Sequence, residues 1–178
     1  MNLNQKKLVT AALFTAFTCV ATMSIRIPTP GTGGYIHPGD ALVILSGVIL
    51  GPGWGFLAAA VGSAMADLLG GYLLYVPVTF VIKGTAAFAA GAVYGKAGKD
   101  PRHGCLAVVL GGAADMILVA GGYFLCEIFL YGVPAAAASV PANLIQGAGG
   151  LVLGAALYPV LIAVPDIRRM ARKADAHG

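Results

Sequence analysis

Charge is what this chain lacks most. Only 10% of its 178 residues are Asp, Glu, Lys or Arg, while 58% are hydrophobic and the mean hydropathy is +0.86. Ordinary soluble domains carry about 25% charged residues. A soluble fold of this length also leaves roughly a third of its unfolded surface wet, and too little polar side chain is present to cover that. Cysteine is scarce as well. Cys19, Cys105 and Cys126 stand inside apolar runs without CxxC spacing, which argues against a disulfide or metal site and for small core hydrophobes. No P-loop, GxSxG or HExxH occurs, so any energy source is an ion gradient or another protein. No connecting segment is long enough for a soluble domain. The composition specifies an all-α integral membrane protein, one transmembrane domain over residues 1–178.

What is present is a series of long apolar runs. A spanning helix needs about 20 apolar residues, which places helices at about 7–26, 54–70, 72–94, 104–131 and 137–164. The first is too long for a signal-peptide core of roughly 7–15 residues and reads as a retained helix. Between Asp40 and Pro52 the run ALVILSGVIL is short. It fits either a short or tilted helix at 40–51 or a re-entrant segment; a helix capped by Asp40 and ended by Gly51-Pro52-Gly53 is the expectation.

Basic residues support six spans. With an even number, Lys6, Lys7, Lys96, Lys99, Arg102, Arg168, Arg169, Arg172 and Lys173 collect on one side, nine of the eleven cations. The positive-inside rule makes that side cytoplasmic, with both termini and a basic tail at 165–178. The tail reads as a lipid-facing or partner-facing flank, and the net charge of +4 calls for no nucleic acid.

Ionisable groups within hydrocarbon cost a few kcal/mol each and by default mark function or a compensating pair. Asp67, Lys83, Asp115 and Glu127 are such groups. At about 1.5 Å per residue, Lys83 lies roughly 16 Å below the outer end of its helix. Tyr75, Thr79 and Lys83 share one helical face, as do Tyr123 with Glu127, and Asn143 with Gln146. Several helices thus turn polar side chains inward at one level of the outer half. Lys83 could pair with Asp67 or Asp115. Phe80, Phe124, Trp54 and the tyrosines are candidates for stacking surface, Trp54 being also a candidate inner-interface anchor.

Above that level lies GTGGYIHPGDALVIL, residues 31–45. Gly31, Gly33, Gly34 and Gly39 permit positive φ and close packing, and Pro38 extends His37. A polar loop carrying Tyr35 and His37 is suited to close over a pocket mouth. The candidate binding residues are therefore Tyr35, His37, Asp67, Tyr75, Thr79, Lys83, Tyr123, Glu127, Asn143 and Gln146. No catalytic constellation, metal cluster or cofactor motif accompanies them.

YIHPGDALVILSGVILGPGWGFLAAAVGSAMADLLGGY (35–72), VPVTFVIKGTAAFAAG (76–91) and VPANLIQGAGG (140–150) resemble the substrate-binding S components of energy-coupling-factor (ECF-type) vitamin transporters. The branch is that of the riboflavin, hydroxymethylpyrimidine and pyridoxine carriers. The resemblance covers essentially the whole chain. It implies a vitamin-like ligand bound from outside, a prokaryotic cytoplasmic membrane, and assembly with a membrane coupling subunit and two cytoplasmic ATPases. It also implies docking through a small-xxx-small motif in the first helix, here Ala12 to Ala16, where small residues allow close contact. Riboflavin-binding relatives carry Asn-x-x-Lys in the last helix; here it reads Asn143-Leu-Ile-Gln146. Loss of that cation, with Glu127 present, favours a cationic or amino-bearing heterocycle such as a hydroxymethylpyrimidine or a B6 vitamer.

Other classes compete. An autonomous ion-coupled transporter would use Asp115 or Glu127 as a proton site, but no internal repeat is evident. An intramembrane enzyme would need a nucleophile–base pair, and His37, His103 and His177 fall in loops or the tail. A purely structural assembly protein leaves the aligned polar groups unexplained.

Overall fold

The computed structural model describes residues 3–97 and 103–173; Lys99, Arg102, His177 and the tail beyond Lys173 lie outside the described residues. The helices are α1 (Leu3–Ser24), α2 (Asp40–Leu50), α3 (Pro52–Gly70), α4 (Tyr75–Ala97), α5 (Gly104–Tyr131), α6 (Val133–Ala163) and α7 (Pro165–Lys173). Five of them, α1 and α3 to α6, are long and apolar enough to cross a membrane. The protein is an all-α, multi-pass membrane protein, as its composition requires.

The expected sixth span is resolved differently. At about 1.5 Å per residue, the 11 residues of α2 cover only about half a bilayer's hydrocarbon. All of them except Leu42 are buried in protein. An arc running α1–α3–α4–α5–α6 wraps around α2, which touches every other helix of the bundle. Its start lies beside Lys83 and its end beside Gly91, both on α4. Helix α2 therefore runs alongside the C-terminal half of α4, and the preceding loop dips into the bundle to meet it. A helix with no lipid-facing side can be apolar on every face, which explains the uninterrupted run ALVILSGVIL.

Glycine makes the α2–α4 approach possible. A Cβ on Gly91 would lie 2.7 Å from the Gly47 carbonyl oxygen, and one on Gly47 would overlap the Ala87 carbonyl. Gly51, at φ 82°, then turns the chain directly from α2 into α3.

Other boundaries shift for local reasons. Helix α4 begins at Tyr75 rather than 72, because Gly71 adopts φ 82° and residues 72–74 form a turn. Helix α6 begins at Val133 rather than 137, since Pro134 fits a first helical turn. Much of the tail is helical: α7 buries Met170 and Ala171 against the bundle. Arg168 Nε donates to the Ile162 carbonyl at 2.8 Å, and Lys6 Nζ lies 2.8 Å from Asp166 Oδ2. That contact lowers the Asp166 carboxyl below its ordinary range. It also places the start of α1 and the start of α7 on one side of the bundle. The cysteines are not core residues: Cys105 is exposed, and Cys19 and Cys126 are half-buried.

Candidate ligand-binding site

The connection from α1 to α2 forms a minimal hairpin, Ile27–Pro28 pairing antiparallel with Tyr35–Ile36. Of the four loop glycines, only Gly31 has positive φ, at 78°; the other three serve close packing. Gly34, for example, lies against Thr29, Tyr75 and Glu127. Beneath the hairpin is a cleft with about 320 Å³ of empty space, its open mouth included. Thr29, Gly34, Tyr35, His37, Asp67, Tyr75, Thr79, Tyr123, Glu127 and Asn143 line it. One loop and four helices, α3 to α6, contribute.

Eight of the ten candidate residues are in that lining. Lys83 and Gln146, the other two, sit together beside it in a buried relay. Tyr35 Oη donates to Asp67 Oδ1 at 2.7 Å, fastening the hairpin to α3. Tyr75 Oη donates to Glu127 Oε1 at 2.9 Å, and Ser139 donates to the other Glu127 oxygen. Thr79 Oγ1 and Tyr123 Oη are 2.9 Å apart. The His37 amide donates to Gln146 Oε1 at 3.0 Å, and Gln146 Nε2 donates to Asp40 Oδ2 at 2.9 Å. Lys83 Nζ closes the chain on Asp40 Oδ1 at 2.5 Å.

Two expectations change here. Asp40 is not a cap: Gly39 holds the N-cap position and no side chain caps α2. The carboxylate turns into the bundle, where a buried ammonium has more to gain from it than solvated amide groups do. Accordingly Lys83 pairs with Asp40, not with Asp67 or Asp115. The stacking surface also differs. Tyr35, Tyr75 and Tyr123 line the cleft, whereas Phe80, Phe124 and Trp54 do not. Phe80 instead packs edge-on against Phe56, ring centroids 5.9 Å apart.

The sequence reading also passed over Arg26, Ser139 and Thr29. The Arg26 guanidinium lies 5.1 Å from the Tyr35 ring centroid and 5.7 Å from that of Tyr72, and donates to the Ala66 carbonyl. It ties the loop to the C-terminal end of α3. A usable signal existed for Asp40: one acid at the head of a long apolar run, and one lysine within a span, invite each other.

Charge in the cleft is one-sided. Asp67 and Glu127 line it, and no Lys or Arg does. His37 Nδ1 accepts the Gly39 amide at 3.1 Å. Burial, reinforced by the Lys83 charge, lowers its pKa from 6.5 to about 3. The imidazole is therefore neutral. Burial and the Asp67 contact raise the Tyr35 phenol, which stays a donor. Such a surface offers carboxylates, amide groups and aromatic rings to a ligand with donor groups or positive charge.

On α1, Ala12 and Ala16 are both exposed, on a face with Leu8, Leu13 and Phe17.

The sequence matches the family of the ECF-type riboflavin transporter S component over residues 2–163. It is 36% identical to an uncharacterised protein of Pyrococcus woesei over 142 residues, 80% of this chain and 92% of that one. It is 28% identical to the thiamine precursor transporter HmpT of Lactococcus lactis over 161 residues, 90% of each. Two solved structures share the fold. The S component of a bacterial ECF transporter superposes with TM-score 0.68 at 21% identity, covering 90% of this chain and 97% of that one. The biotin S component of an ECF-type transporter gives 0.54 at 18%, covering 89% and 95%. With the fold, the membrane helices and a family match over nearly its whole length, the chain belongs to the ECF-type riboflavin transporter S component family.

Proposed function

We propose that the chain is the substrate-binding subunit of an ATP-driven ECF-type importer, and that it takes a small heterocyclic vitamin or vitamin precursor into the cleft beneath the 27–39 hairpin. One observation carries this reading: polar side chains from four helices and one loop line a single cleft, and its cover is held down by hydrogen bonds to Asp67 and Gln146. The two carboxylates without a lining cation favour an amino-bearing or cationic heterocycle over an anionic one. The name of the Lactococcus relative, a thiamine precursor transporter, agrees with that preference. Tyr35, His37, Asp67, Tyr75, Thr79, Tyr123, Glu127 and Asn143 would meet the ligand directly, and Lys83 and Gln146 would set the floor.

The cytoplasmic side is the one that collects the basic residues. The exposed Ala12–Ala16 face of α1 suits close docking of a helix from a membrane coupling subunit, which would connect the chain to two cytoplasmic ATPases. The test is a binding panel of aminopyrimidines, B6 vitamers and riboflavin on the purified chain. Tight binding of an amino-bearing heterocycle supports the reading; nanomolar binding of riboflavin alone overturns the ligand preference. Uptake by the chain alone in liposomes under a pH gradient, without ATPases, would instead establish an autonomous ion-coupled transporter.

A further inference from the structure

A third carboxyl lies deeper, and the ligand reading makes no use of it. Asp115, on α5, is fully buried, and among the described residues neither of its oxygens has a hydrogen-bond partner. The charged groups within electrostatic reach are Asp40 and Lys83, which already satisfy each other at 2.5 Å. Helices α2, α4 and α6 pack against α5. Of these, α2 brings Asp40, α4 brings Lys83 with Lys96 far off in its last turn, and α6 contains no charged residue. On α5 itself the other titratable groups, Cys105, Tyr123, Cys126, Glu127 and Tyr131, all lie more than two turns away. One turn before Asp115, Gly111 and Gly112 let α5 pack closely on Ala90 and Leu151, and one turn after it Val119 is fully buried.

One positive charge therefore lies within electrostatic reach of two carboxyl groups, and all three side chains are fully buried. If both were ionised, a net negative charge would stay buried and unpaired, a situation that proteins relieve by taking up a proton.

We propose that Asp40, Lys83 and Asp115 form a membrane-buried proton site in which the two carboxyls share one proton. While Asp40 pairs with Lys83, the proton sits on Asp115. When that pair parts, the O–H bond of Asp115 breaks and an O–H bond forms on Asp40. Lys83, still an ammonium, then pairs with the Asp115 carboxylate. The cluster is neutral in both states, so neither state strands a charge in the bilayer. The site is also wired to the cover of the cleft. The His37 amide holds Gln146, and Gln146 holds the same Asp40 carboxylate. Withdrawal of the hairpin releases Gln146, whose Nε2 is the donor that favours ionised Asp40, and so moves the proton toward Asp40.

Infrared difference spectroscopy of the full chain in lipid nanodiscs at neutral pH reads this without any ligand. Wild type minus Asp115→Asn is expected to show the carbonyl stretch of one protonated carboxylic acid and no carboxylate band. In an Asp40→Asn background, which mimics protonated Asp40, introducing Asp115→Asn is expected to remove a carboxylate band instead. A carboxylate band in the first comparison overturns the proposal, as does a protonated acid in the second. Asp115→Asn is also expected to melt close to wild type, because an amide is nearly isosteric with a neutral acid; failure of that variant to fold counts equally against it. A chain that binds no vitamin would leave these spectra unaffected, so the two readings fail separately.

Discussion

Lys83 Nζ and Asp40 Oδ1 are 2.5 Å apart, both side chains are fully buried, and the two residues come from different helices. The pair joins the start of α2 to the middle of α4, directly beside the cleft. Removing one partner of such a pair typically costs about 3–5 kcal/mol, because the other charge is left buried and unpaired. Lys83→Met is expected to lose stability on that scale in a thermal melt. Asp40→Asn is expected to lose clearly less, since in the proposed proton site Asp115 then ionises and pairs with Lys83. Equal losses would mean that Asp115 offers no alternative partner.

Glu127 is 2% exposed and receives hydroxyl donors from Tyr75 and Ser139. In the proposed ligand complex it is the carboxylate that meets the donor groups of the heterocycle. A hydrogen bond to a charged group is worth about 1.5–3 kcal/mol, so Glu127→Gln is expected to weaken binding about 10- to 100-fold with little change in melting temperature. Titration calorimetry on the ligand identified by the panel measures it. Unchanged affinity would remove Glu127 from the site.

Arg26 braces the hairpin through the Tyr35 and Tyr72 rings, while Tyr35 is bonded to Asp67. Cation–π contacts contribute about 0.5–2 kcal/mol. Arg26→Ala is therefore expected to raise the rate of proteolytic cleavage between residues 31 and 39 several-fold, and saturating ligand is expected to slow cleavage of both proteins. Cleavage insensitive to the substitution and to ligand would mean that the hairpin is not a moving cover.

The covered state is also expected to be pH-dependent. His37 is neutral and accepts a backbone amide in the closed arrangement, with its pKa lowered from 6.5 to about 3. An imidazole released to solvent takes up a proton near its ordinary value. The closed state is thus fully favoured above 6.5 and is disfavoured increasingly as pH falls from there toward 3, by up to about tenfold per pH unit. Ligand affinity measured across that window is expected to fall with acidification, and less so in His37→Asn. An affinity that rises in acid would contradict the assignment.

Much of this architecture was legible in the sequence because a membrane imposes simple rules. Run length fixed the long helices, and α5 matched at both ends, Gly104 and Tyr131, because flanking loop residues bound its apolar run. Helical spacing brought Tyr75 and Thr79 onto the same face as Lys83. What stayed illegible depended on depth and partner choice between distant segments. Asp40 stands where a cap belongs, and only the position of α2 against α4 reveals its pairing. The short α2 read as a span, because burial in protein and burial in lipid select the same residues. Arg26 gave no local signal, because its aromatic neighbours Tyr35 and Tyr72 are 9 and 46 positions away. The tail gave no sign of α7, whose helix rests on packing Met170 and Ala171 against the bundle.

Native mass spectrometry of the purified chain tests the central claim most directly. The account predicts one small heterocyclic molecule per chain, retained by the wild type and lost in Glu127→Gln and Asn143→Ala. A molecule that both variants retain as firmly as the wild type would place the binding site elsewhere and contradict the account.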